Sequence, residues 1–114
     1  MSRPSPGDRI LIFKARWLSL IMSGQKTLEI RGSPLRSGKY FLGCKGKIYG
    51  VADIGEPLRI ASKAEWAVMK NQHLVDTMEL PYKRTFGLPI VRVTALPPYR
   101  YNHPKGAIGI VVYR

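Results

Sequence analysis

Cysteine occurs once, at Cys44. A single thiol makes neither an internal disulfide nor a cysteine-rich metal centre, which fits a reducing compartment: the cytoplasm, or the nucleus if the source is eukaryotic. Long apolar runs are also missing. The longest cover residues 10–13 and 18–22, whereas a membrane span takes ~20 residues, so no membrane partner is expected. Residues 1–9 contain no apolar h-region and do not read as a secretory signal. His73 and His103 stand far apart, with no cysteine or carboxylate at ligand spacing, and no metal is expected. The run at residues 43–47 (GCKGK) lacks the spacing and the following helix of a phosphate loop, and no cofactor is expected. No internal repeat occurs.

Acidic residues are scarce. Seven Asp and Glu stand against nineteen Lys and Arg, a net charge of +12 and a pI near 10.3. A field of that sign attracts polyanions, nucleic acid first and an acidic protein second. The basic residues are spread along the chain, which argues for a folded basic surface and against a disordered polycationic arm. At 114 residues with 45% hydrophobic content, the chain makes one domain with its own core.

Residues 1–8, rich in Pro and Gly, read as a disordered lead-in, and residues 9–114 as the domain. Residues 9–14 (RILIFK) form a strand. Trp17, Leu20 and Ile21 then fall on one face of a helix over 15–23, with Gly24 as its C-terminal signal. Residues 26–31 (KTLEIR) alternate, with Leu28 and Ile30 on the core side and Thr27, Glu29 and Arg31 on the other. Strands at 39–44 and 47–54 flank a Lys45-Gly46 turn, with Gly50 as a bulge or bend, and 56–60 extend that edge. Ser62 and Glu65 form a capping box for a helix over 62–71. Residues 76–87 are irregular. Strands at 88–96 and 107–114 are separated by a loop that starts at Pro97-Pro98. The pattern predicts an α+β fold, a small mixed β-barrel of five to six strands with two short helices.

The dense spot for chemistry is residues 17–31. Glu29, two residues from Arg31 on one strand face, can fix that guanidinium as a donor to phosphate or to a base edge. Lys26, beside Gly24, adds a point charge. Strand–helix–Gly24-x-Lys26-Thr27-x-Glu29-x-Arg31, followed by residues 38–42 (GKYFL) and 48–54 (IYGVADI), resembles the ASCH domain (activating-signal-cointegrator homology) of the PUA-like superfamily. Residues 82–87 (YKRTFG) and 97–108 (PPYRYNHPKGAI) add to the likeness, which covers the chain from Ile10 onward. The resemblance implies a PUA-like barrel with a cleft between the first helix and the barrel, lined by Lys26, Glu29 and Arg31, and implies RNA or DNA as ligand.

One branch of that family hydrolyses the acetyl amide of N4-acetylcytidine with a Gly-x-Lys-Thr-x-Thr-x-Arg pattern and a distant glutamate. Lys26 matches the lysine. Glu29 stands where the nucleophilic threonine would be, Thr27 matches another position, and a carboxylate does not copy an activated hydroxyl. Glu56 and Glu65 are the candidates for the distant glutamate. The first expectation is therefore a module that binds RNA or single-stranded DNA. Lys26, Thr27, Glu29 and Arg31 contact the ligand, with Arg16, Lys83 and Arg84 around them. Tyr99 and Tyr101, interleaved with Arg100 and Lys105, stack on bases. The alternative is a small hydrolase of RNA or a modified nucleoside, a ribonuclease or an amidohydrolase. Lys26 and Glu29 are then the catalytic pair, with Glu29 as general base on a water.

Overall fold

A computed structural model describes residues 3–107 and 109–114. Met1 and Ser2 of the expected lead-in, and Ile108 of the expected last strand, lie outside the described residues. The elements in chain order are β1 (Arg9–Ile12), α1 (Ala15–Met22), β2 (Leu28–Arg31), β3 (Gly38–Cys44), β4 (Lys47–Ile54), β5 (Leu58–Ile60), α2 (Lys63–Val68), α3 (Lys70–His73), β6 (Thr85–Arg100) and β7 (Ile110–Val112).

The strands form one curled mixed sheet in the order β2-β6-β4-β3-β1-β7, with β5 also paired to β6. β1 runs parallel to β3, because α1 and β2 intervene between them; the other pairings are antiparallel. The sheet is a curled half-barrel of seven strands, close to the small mixed barrel of five to six strands that the pattern predicted. Its path ends at β2 on one side and β7 on the other. Of the residues ahead of β1, Pro4 is buried, and Gly7 donates to the Tyr113 carbonyl at 2.8 Å.

Three differences from the sequence reading have physical causes. Residues 58–60 form a separate strand on β6 rather than an extension of β4. The second helix breaks at Met69, whose φ of −91° and ψ of 8° end α2 and start α3. β6 begins at Thr85 and runs through Pro97 and Pro98 to Arg100. The prolines are tolerated because they lie where the ladder slips, between the pairs Gly50↔Ala95 and Ile48↔Tyr99. A bulge asks for no donor at those positions.

The main core packs α1 on the concave face: Leu18 and Ile21 meet Leu11, Tyr40, Leu42, Leu88 and Ile90. The helix face is therefore centred on Leu18 and Ile21, with Trp17 turned toward its edge. A second cluster joins Ile10, Phe41, Ile48 and Tyr101. A third covers β2, where Leu28 and Ile30 meet Ile60 and Trp66. Ser62 and Glu65 make the capping box expected of them: Ser62 Oγ accepts from the Glu65 N–H at 3.1 Å and the Glu65 carboxylate accepts from the Ser62 N–H at 3.1 Å. Lys45 and Gly46 both take positive φ, 50° and 78°, in the tight β3–β4 turn.

Gly50 carries the bend in β4. A Cβ there would stand 2.8 Å from the Thr94 carbonyl oxygen and 3.0 Å from the Met22 methyl carbon. The first neighbour is backbone and cannot step aside. Gly50→Ala is expected to lower stability by about 2 kcal/mol in urea titration. Ser62→Ala, which removes one cap and leaves the sheet alone, is expected to cost about 1 kcal/mol.

Candidate functional site

The site begins where α1 ends. Ser23 closes the helix and Gly24, at φ 83°, reverses the chain, a conformation glycine adopts without cost. The N–H groups of Gln25 and Lys26 both donate to the Leu20 carbonyl at 3.0 Å, which tucks Lys26 under the helix. β2 starts only at Leu28, so strand alternation does not govern the two residues before it. Lys26 is buried at 2% exposure, while Thr27 is exposed and binds through its backbone to Gln72 and Ile90. From Leu28 on, alternation holds. Leu28 and Ile30 point into the third core cluster, and Glu29 and Arg31 point into a cleft of about 520 Å³.

Lys26, Glu29 and Arg31 meet on the floor of that cleft. Arg31 Nε donates to Glu29 Oε2 at 2.7 Å, and Arg31 Nη2 donates to the carbonyl of Ile12 at 2.8 Å. Lys26 Nζ donates to the carbonyl of His73 and stands 3.8 Å from Glu29 Oε1. That ammonium also lies 4.6 Å from the Trp17 ring centroid, and the Arg31 guanidinium 5.3 Å from that of Phe13. Glu29 is 6% exposed. Two cations and one carboxylate thus share a floor with apolar walls from Phe13, Trp17, Ile30 and Val75.

Burial is the largest influence on Lys26 and pushes its ammonium down to about 8 from 10.5; Glu29 opposes the shift, while Arg31 and Arg16 add to it. His73 supports this arrangement from behind. Its ring stacks on Trp66 at 3.8 Å. Nδ1 accepts from the Val75 N–H at 2.9 Å, so the proton sits on Nε2, which faces the Trp66 carbonyl at 3.0 Å. Burial pulls the His73 ring below its ordinary range and keeps it neutral. With its ring fixed, His73 presents its carbonyl to Lys26.

The remaining expected site residues fall into two groups. Arg16 is exposed and lies 4.2 Å over the Trp17 ring, at the edge of the cleft. Lys83 and Arg84 are exposed and follow Pro81 and Tyr82, which line it. Tyr99 and Tyr101 are not brought to the cleft. Both pack with the second core cluster, and Tyr101 is 9% exposed with its hydroxyl 2.7 Å from His103 Nδ1. Burial raises both phenols. Glu56 is held by the Ser37 hydroxyl at 2.5 Å and Glu65 by its capping box, and neither lines the cleft.

The sequence reading missed Lys14, Ile12, Tyr82 and Gly109 as lining residues. Tyr82 carried a usable signal, since it precedes Lys83 and Arg84 in the same aromatic–basic interleaving read at residues 99–101. Ile12 and Gly109 carry none, because their part is played by backbone: the Ile12 carbonyl receives Arg31, and the Ile12 N–H donates to Gly109 at 2.7 Å.

No family model matches this sequence, and no curated protein is a significant match to it. Solved structures do match in shape. A crystal structure of ASCH from Zymomonas mobilis superposes with a TM-score of 0.75 over 95% of this chain and 88% of that one, at 12% identity. Structures of two single-residue mutants of the Zymomonas mobilis protein give TM-scores of 0.76 and 0.75, covering 98% and 95% of this chain and 92% and 91% of theirs, also at 12% identity. At that identity the likeness is one of architecture, and it bears out the resemblance read from the Gly24–Arg31 motif at the level of fold: the chain has the fold of an ASCH domain.

Proposed function

We propose that the protein binds single-stranded nucleic acid, RNA or DNA, by admitting one nucleotide into the cleft over Lys26, Glu29 and Arg31. The observation that carries this reading is the burial of Lys26 and Glu29, at 2% and 6% exposure, beside Arg31 in a cleft with apolar walls. Charged side chains are rarely buried, and holding them dry costs stability. Arg31 at 2.7 Å and the His73 carbonyl offset part of that cost, but Lys26 and Glu29 themselves stand 3.8 Å apart and Glu29 Oε1 makes no hydrogen bond among the described residues. A ligand with hydrogen-bonding edges can engage the acceptor that remains. The net charge of +12 favours a polyanion as the bearer of that ligand, and a cleft of about 520 Å³ admits a nucleotide but not a duplex.

A second reading, hydrolysis of RNA or of a modified nucleoside, draws on one observation. An ammonium pushed down to about 8, with a carboxylate 3.8 Å away, is a group able to give up its proton near neutral pH.

Labelled single-stranded and duplex oligonucleotides, titrated by anisotropy at two salt concentrations, test both readings. Binding that weakens with salt is expected, with Lys26→Met and Glu29→Gln each raising Kd about tenfold, the loss of one charge-assisted contact. Product formation that disappears in Lys26→Met would move the protein to the enzymes. Competition by an acidic polypeptide but not by oligonucleotides would sink the nucleic-acid reading.

The pH dependence separates binding from stability. Lys26 is protonated in the unfolded chain up to 10.5 but in the folded protein only to about 8. Between these values the unfolded state holds the extra proton, so folding stability due to this group rises with pH. Oligonucleotide binding that needs the ammonium falls through the same window. Wild type measured against Lys26→Met at pH 7 and pH 9 should show affinity dropping while stability, by the same comparison, climbs.

A further inference from the structure

Tyr82 is the exposed aromatic of the cleft lining, at 46% exposure. It belongs to the irregular segment between α3 and β6, where an exposed ring would ordinarily wander. Two contacts fix it. The Tyr82 N–H donates to Thr85 Oγ1 at 3.3 Å and the same hydroxyl donates to the Tyr82 carbonyl at 3.1 Å, with Thr85 only 1% exposed. Beneath the ring lies Gly32, where a Cβ would come within 2.9 Å of Tyr82 Cδ1. The ring is laid against bare backbone and held there before any ligand arrives. An aromatic kept in place in this way contributes stacking energy with little ordering cost on binding.

The floor of the cleft decides what stacks. Arg31 uses Nε and Nη2 on Glu29 and Ile12; among the described residues its Nη1 makes no hydrogen bond. Glu29 commits Oε2 to Arg31, while Oε1 has Lys26 only at 3.8 Å. One acceptor, Glu29 Oε1, and one donor, Arg31 Nη1, are thus left without a hydrogen-bond partner among the described residues, both on side chains that line the cleft. A phosphate presents acceptors only and is repelled by the carboxylate, whereas every nucleobase presents both kinds along its Watson–Crick edge. Lys83 and Arg84, exposed and next in sequence to Tyr82, add positive charge that suits a sugar-phosphate backbone.

Resting on the nucleic-acid reading above, we propose that the cleft takes an unpaired base rather than a phosphate, stacked on Tyr82 with its edge on Glu29 Oε1 and Arg31. The sugar-phosphate stays outside.

The test uses a single-stranded hexanucleotide with tetrahydrofuran abasic units at every position but one, beside the fully abasic hexamer and the ordinary hexamer. Wild type is expected to bind the one-base hexamer about tenfold more tightly than the fully abasic one. Tyr82→Ala should erase that difference without changing affinity for the fully abasic hexamer. Tyr82→Phe should keep the difference, and Gly32→Ala, which displaces the ring but retains it, should shrink it. A base-dependent gain that survives Tyr82→Ala overturns the proposal. So does ordinary-hexamer binding that Lys26→Met weakens while the abasic hexamer binds as tightly, and that result leaves the nucleic-acid reading standing. If wild type binds none of the three, that reading fails and the Tyr82 proposal falls with it.

Discussion

The guanidinium of Arg31 ties β2, one end of the sheet path, to β1, the strand next to the other end. The hydrogen-bonded path runs from β2 to β7 without returning to its start, and the carbonyl at the end of β1 is reached from β2 by a side chain instead. That bond leaves Glu29 no choice of position, because Nε of the same planar group is already committed to it. Guanidinium geometry is what makes this work: its donors point in fixed directions, and a lysine ammonium in the same place would satisfy one partner and release the other. Lys26 completes the set from the opposite side, tied to α3 through His73. Three elements distant in sequence therefore share one small polar network.

A network of this kind is a poor way to stabilise a protein. Apolar residues of similar volume would often serve folding as well or better, since the cost of drying the charges is avoided. The rest of the molecule supports the cost with ordinary means. α1 packs on the concave face through Leu18 and Ile21, and Trp66 with Ile60 closes the far side of β2. Those clusters leave the cleft floor free to be chosen for what it contacts rather than for how well it packs.

Much of this was readable in the chain because it is local. Ser62 with Glu65 gives a helix start that needs no tertiary information, and Gly24 and the Lys45-Gly46 turn give chain reversals for the same reason. Gly50 marked a bend, and the ladder does slip beside it. The Glu29–Arg31 pairing followed from strand alternation. What escaped depends on partners far along the chain. Whether a proline ends a strand depends on whether the opposite strand offers an acceptor there, and a slip in β4 decided that for Pro97 and Pro98. Lys26 rather than Thr27 turns inward because the preceding backbone is bound to Leu20, one residue before alternation begins. Tyr99 and Tyr101 looked like a stacking pair because their neighbours are basic, but β6 carries them over the second core cluster, where their rings are used for packing.

β6 has one more effect. Its first residues pair with β2 and β5, and the remainder pairs with β4, so it is the common spine of the fold and lies far along the chain from the strand that carries Glu29 and Arg31. Glu29 finds its ladder neighbour only when Leu88 has been made, and Lys26 its carbonyl only when His73 has, 47 residues later. Pairings of such separation form late and slowly. A chain cut before Thr85 carries the three charged groups without the frame that orients them, so the cleft exists only once β6 is in place.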